Sequence, residues 1–191
     1  MADNHEKNKR NKVPWINVKG NVQEIPQEIS HELAAIVIEW GRFEMMLVTD
    51  TSTMMAYPTA RRLADKPPRT FNQRIELWKK CINALYPDIR IYRNWAREIC
   101  SKGKIISRHR NRLIHGIWDV SNFEKMGLVR LVSYSGLAHV EEHEDLEFDV
   151  KYLAAVHNDI RAVVDALVSL VTNRMFHASK GLIKEIPVQA P

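Results

Sequence analysis

The chain has 191 residues, a formal net charge of +5 at neutral pH and a 45% share of hydrophobic residues. That length holds one domain with a true core and leaves little room for a second. No apolar run is long enough to cross a bilayer, the first ten residues are polar, and Cys81 and Cys100 form no CxxC pair, so the reading excludes a membrane span, a secretory leader and a disulfide framework and expects a cytoplasmic protein with reduced thiols.

Residues 1–24 are polar, basic and aperiodic, and they read as a flexible N-terminal arm. Pro26 opens a helical pattern in which Leu33, Val37, Trp40, Glu44, Leu47 and Thr51 share one face, with Ile36, Phe43 and Met54 beside it. This helix is expected to end before Pro58. Lys66-Pro67-Pro68-Arg69 breaks the chain, and Thr70 is a candidate N-cap. Phe71, Ile75, Trp78, Ile82 and Leu85 then form the apolar stripe of a second helix.

From Asp88 to His115 the pattern is helical throughout, with Lys102-Gly103-Lys104 the one place where a single helix could become two. After Gly116 the periodicity changes. Residues 128–133 alternate and Ser135-Gly136 resembles a turn, which predicts a short β-hairpin insertion. Asp149 is placed to cap a last helix carrying Leu153, Val156, Ile160, Val163, Leu167 and Leu170 at helical spacing. The expected architecture is an all-α bundle of four to five helices over residues 25–175, with a small β-hairpin insertion and a flexible tail over residues 176–191.

Charge is unevenly spread. Between Asp88 and Arg112 stand Arg90, Arg93, Arg97, Lys102, Lys104, Arg108, Arg110 and Arg112 against only Asp88 and Glu98. A basic field of this kind attracts polyanions such as RNA, although a charge cluster alone also describes a solvated helix face. Within that field, Arg110-Asn111-Arg112-Leu113-Ile114-His115-Gly116 joins an arginine that can hold a phosphate to a histidine that can move a proton near neutral pH. Such a histidine can also simply face the last carbonyls of its helix.

Two charges fall on apolar stripes, Arg110 among Ile106, Leu113 and Ile117, and Glu44 between Trp40 and Leu47. A lone buried charge is costly, so Glu44 and Arg110 are expected to meet between helices. Arg110 and His115 lie about 140° apart on an ideal helix. They converge on one phosphate only if the helix distorts, the arginine reaches around, or a second protomer completes the site. His115 shares its face with Asn111 and Arg108, and Asn111 is placed to fix its tautomer.

The string Arg110-Asn111-x-x-x-His115, late in a bundle-like chain and before a last amphipathic helix, resembles the HEPN superfamily (higher eukaryotes and prokaryotes nucleotide-binding domains). Its hallmark is an arginine, four to six residues, then a histidine; Arg110 fits with four intervening residues and Arg108 with six. The resemblance covers residues 27–174 in architecture and one motif in residue detail. It implies a homodimeric bundle with two motifs at a two-fold axis, and for many members metal-independent cleavage of RNA in toxin–antitoxin, phage-defence or RNA-processing systems. Others are inactive binding modules, and an inhibitor protein is a further partner of the active kind. On this basis Arg110, Asn111 and His115 are the expected catalytic residues, with Glu44 and Arg108 in support and no cofactor or metal.

The implied chemistry is transesterification. The 2'-hydroxyl attacks phosphorus and the 5'-oxygen leaves, giving a 2',3'-cyclic phosphate and a 5'-hydroxyl. A competing pattern, His139-Val140-Glu141-Glu142-His143, matches the H-x-x-E-H string of some zinc enzymes. It follows Ser135-Gly136 and runs into acidic residues, so it reads as a loop or strand rather than the helix that such chemistry needs.

Overall fold

The structure is a computed structural model that describes residues 25–64, 66–115, 117–119, 126–132 and 146–180. The basic arm, the expected Ser135-Gly136 turn and the His139/His143 segment lie outside the described residues. Among the described residues five helices, four of them substantial, pack as an all-α bundle. They are α1 (Gln27–Met54), α2 (Pro58–Arg61), α3 (Phe71–Leu85), α4 (Arg90–His115) and α5 (Val150–Ser179).

Each long helix buries one stripe. In α3, Ile75, Trp78 and Ile82 are fully buried, and Thr70 caps the helix in a reciprocal box with Gln73. In α5, Leu153, Val156, Ile160, Val163, Leu167 and Leu170 are buried, and the Asp149 carboxylate accepts the Tyr152 amide N–H at 2.9 Å. That capping bond satisfies one of the orphan donors of the first turn. Helix α1 packs on α3 and α5, and α4 packs on the same two, so α1 and α4 stand diagonally across the bundle.

The buried stripe of α1 keeps Trp40 and Leu47 of the expected one and turns towards Ile36, Phe43 and Met54, the residues expected beside it. Ile36, Trp40, Phe43, Leu47, Asp50 and Met54 face the core, whereas Val37 is 44% exposed and Glu44 half-buried. The helix carries two apolar stripes, and spacing alone does not say which one turns inward.

Gly103 does not break α4, which runs as one helix from Arg90 to His115. A methyl group at Gly103 would lie 2.8 Å from Ile75 Cδ1 and 3.2 Å from the Phe43 ring. The glycine therefore makes room for the Ile75 side chain of α3 and for the Phe43 ring that reaches across from α1, which offsets its poor helix propensity.

The insertion is not a single hairpin. Strand β2 (Val129–Val132) pairs antiparallel with β1 (Ile117–Asp119) on one side and β3 (Leu146–Phe148) on the other, with Val129 opposite Phe148. Val129 and Phe148 are buried against the bundle, and β3 leads into α5. Gly127, with φ +66°, precedes β2 in a conformation that favours glycine.

The last helix continues through Ser179, so residues 176–179 belong to it and not to a tail. Two contacts hold this end. Arg174, 5% exposed, bonds the Asp50 carboxylate, and Tyr92 Oη and His177 Nδ1 are 2.6 Å apart.

Candidate nucleic-acid interface

Helix α4 is the most strongly two-faced element of the chain. Its inner side buries Tyr92, Ala96, Ile99, Cys100, Gly103, Ile106 and Leu113. Its outer side exposes Arg90, Arg93, Arg97, Ser101, Arg108, Asn111, Arg112 and His115. At 100° per residue these eight fall within about 60° of a common direction, and they run along about 38 Å of helix. The acid Glu98 lies at the edge of that face and is neutralised by Lys102 at 2.8 Å. Lys104 falls inside the same arc but is half-buried and bonds Glu76 on α3, and Ser107, beside the arc, is buried, so part of the middle of this face is taken up within the bundle.

At its C-terminal end the ridge concentrates charge where the helix dipole is negative, so Arg108 and Arg112 offset a field that would otherwise repel a phosphate. Arg108, Asn111, Arg112 and His115 recur at i, i+3, i+4 and i+7, the spacing of one helix face. An anion lying on that face meets two guanidinium groups beside one imidazole.

Arg110 points elsewhere. It is half-buried on the inner side; Nη1 donates to Asn111 Oδ1 at 3.1 Å, and its buried Nε has no hydrogen-bond partner among the described residues. The expected Glu44–Arg110 pair is not formed. Glu44 Oε1 lies 3.3 Å from Arg74 Nη2 on α3, because Glu44 sits on the flank of α1 that faces α3 and not the diagonal α4. Among the described residues no hydrogen bond joins Asn111 to His115; the Asn111 oxygen is taken by Arg110. Arg110 and His115 thus stand on different sides of one helix and do not meet within a protomer.

The neighbouring imidazole, His109, is held. Its Nδ1 is 2.8 Å from the Tyr152 hydroxyl in the first turn of α5. Burial raises the Tyr152 pKa, and the nearby positive charge of Arg112 opposes that shift. Together with Phe148 packed on the Tyr152 ring, this contact fixes the end of α4 against the β3–α5 junction. Sequence reasoning passed over His109, which is one residue from a more suggestive motif and gives no periodic signal of its own.

Among the described residues the buried ion pair is Asp50–Arg174. Trp78 Nε1 donates to Asp50 Oδ2 at 2.7 Å, Arg174 bonds the other carboxylate oxygen, and the guanidinium stands 5.5 Å from the centre of the Tyr86 ring. Asp50 follows Leu47 and Arg174 follows Leu170 on their apolar stripes, so the two charges that do meet between helices are these and not Glu44 and Arg110.

Among the described residues no group of three His, Cys, Asp or Glu side chains gathers as a metal site, and no helix is long and apolar enough to cross a membrane. No protein-family model, curated protein or solved structure matches this chain.

Proposed function

We propose that this protein binds RNA along the outer face of α4 and cleaves it at the C-terminal end of that face, as a metal-independent endoribonuclease. The observation that carries the reading is a basic face in two groups, Arg90, Arg93 and Arg97 at one end of α4 and Arg108 and Arg112 at the other, the second group ending in an exposed histidine. A row of arginines on a rigid helix suits a phosphate backbone, since each guanidinium forms paired hydrogen bonds to phosphate oxygens. Among the exposed side chains of the ridge none is aromatic, so it would hold the backbone and not stack on bases.

In the cleavage step the 2'-hydroxyl oxygen forms a bond to phosphorus as the bond to the 5'-oxygen breaks. His115 accepts the proton of the attacking hydroxyl while water protonates the departing 5'-oxygen, or protonated His115 donates to the departing oxygen while water takes the hydroxyl proton. Arg108 and Arg112 neutralise the charge that builds on the non-bridging oxygens. Arg108 fits the HEPN-like spacing with six intervening residues and shares the face of His115, so it takes the arginine role within one chain. Arg110 takes that role only where a second protomer brings it to His115, the dimer-interface form that the resemblance implies.

The test is cleavage of a mixed RNA substrate with EDTA present. Wild-type protein is expected to yield 2',3'-cyclic phosphate ends, and His115→Ala to lose that activity while keeping its affinity for RNA. Arg108→Gln is expected to slow cleavage more than Arg110→Gln; the reverse order favours the two-protomer site. A second reading rests on the same ridge: a non-catalytic RNA-binding bundle. It is favoured if binding falls steeply with salt while no RNA is cut.

A further inference from the structure

An open-mouthed cavity of about 740 Å³ lies between the C-terminal half of α1, the segment that follows α2 and the first turns of α3. That volume is in the range of sites that hold small molecules. Lys66-Pro67-Pro68 forms one wall. The two prolines have a fixed φ and no N–H to satisfy, so they hold the wall in shape without a helix or strand. None of the described lining residues belongs to α4.

Arg61, Lys66 and Arg74 line the cavity, and among the described residues no carboxylate does. Like charges gathered in one hollow repel unless an anion joins them. Among the described residues neither Arg61 nor Lys66 has a carboxylate partner; Arg61 Nε reaches only the Met55 carbonyl, at 3.4 Å. Glu44 lies 3.3 Å from Arg74 Nη2, and the buried Nε of Arg74 has no hydrogen-bond partner among the described residues. A guanidinium offers its N–H groups as a fork that fits two oxygens of one anion, and a buried donor left unfilled is costly.

The rest of the lining is mostly apolar. Val48, Met55 and Leu77 border the same space, beside Thr51 and Ser52, and the Thr51 hydroxyl is already spent on the Leu47 carbonyl at 2.6 Å. The cations call for a compact, highly charged head, and a phosphate monoester carries close to two negative charges at neutral pH. The apolar side chains call for an apolar body, and they offer nothing that reads the polar edge of a nucleobase. We infer that this cavity binds a small phosphate monoester with an apolar body, its head among Arg61, Lys66 and Arg74 and its body against Val48, Met55 and Leu77.

This is a second site, apart from the basic face of α4. The inference does not rest on the RNA reading, and its test contains no RNA.

Isothermal titration calorimetry of the full chain reads the site directly, with phenyl phosphate, inorganic phosphate and adenosine monophosphate compared at one ionic strength. Phenyl phosphate is expected to bind about tenfold more tightly than either of the others, or better. Arg61→Gln together with Lys66→Gln should weaken it about tenfold or more, with the thermal melt unchanged because both positions are exposed. Ala56→Glu, also at an exposed lining position, brings a carboxylate to the cavity and should weaken it similarly. Inorganic phosphate binding as tightly as phenyl phosphate would reduce the cavity to a patch of positive charge and overturn the proposal. Equal binding of adenosine monophosphate would overturn the apolar body. Absence of phenyl phosphate binding, or binding untouched by both variants, also overturns the assignment.

Discussion

Removing one partner of the Asp50–Arg174 pair is expected to destabilise the bundle more than any other polar substitution in it. Both side chains are only 6% exposed, and Asp50 accepts from Trp78 as well as from Arg174. Arg174→Met leaves a buried carboxylate with a single neutral donor, and Asp50→Ala leaves a buried guanidinium facing Met54 and the Tyr86 ring. Breaking such a pair typically costs about 3–5 kcal/mol. For a chain of this length that is a fall in melting temperature of roughly 6–20 °C. Replacing both partners, as in Asp50→Leu with Arg174→Leu, removes both charges together and strands only the Trp78 N–H, worth about 1–3 kcal/mol. The double variant should therefore be more stable than either single one, a coupling that urea titrations followed by circular dichroism measure directly. Single substitutions that each cost under about 1 kcal/mol, or costs that simply add, would show that the pair does not hold the α1–α5 contact as argued.

Acid should loosen the α3–α4 contact in a defined window. Hydrogen bonds from Lys104 and then Lys79 hold the Glu76 pKa down at about 2, from an ordinary 4.5. A carboxylate with a depressed folded-state pKa contributes stability that is present above about pH 4.5 and lost as pH falls towards 2. Glu76→Gln should flatten that part of the pH–stability curve; an unchanged acid limb would remove Glu76 from the account. The two thiols should be slow to react in the native protein. Burial, with Asp50 adding to it, pushes Cys81 up to about 11, and burial with the neighbouring Glu76 raises Cys100. Alkylation at neutral pH should proceed only with unfolding, and rapid labelling under native conditions would contradict the burial of either side chain.

Much of the bundle was legible in the sequence because its signals are local. Thr70 and Asp149 sit where a side-chain oxygen must cap a helix, and the stripes of α3 and α5 have single apolar faces, so period and partner agree. In α1, Trp40 and Leu47, with Ile36, Phe43 and Met54 beside them, are buried as expected, and Val37 and Glu44 are not, because the neighbours of the helix decide which edge of the stripe turns inward. Gly103 looked like a break because a glycine between lysines is a breaker by composition; the tight approach of Ile75 and Phe43 is a tertiary fact. The charged core pair was legible in kind but not in identity. Asp50 and Arg174 also stand on stripes, beside the two charges that the sequence brought forward, and the diagonal placement of α1 and α4 is what rules out Glu44 with Arg110. At the candidate site the wheel already put Arg108, Asn111 and His115 on one face and Arg110 on another. What the wheel did not give was the capture of Asn111 by Arg110 and of His109 by Tyr152, since both depend on side-chain reach.

The central claim is that the end of the α4 ridge does chemistry on a phosphodiester through one imidazole. The direct measurement is RNA cleavage in the presence of chelator by wild-type protein and by His115→Ala, with RNA affinity measured in parallel. The account predicts cyclic-phosphate products from the first, none from the second, and equal binding by both. Equal cleavage by the two proteins would contradict it.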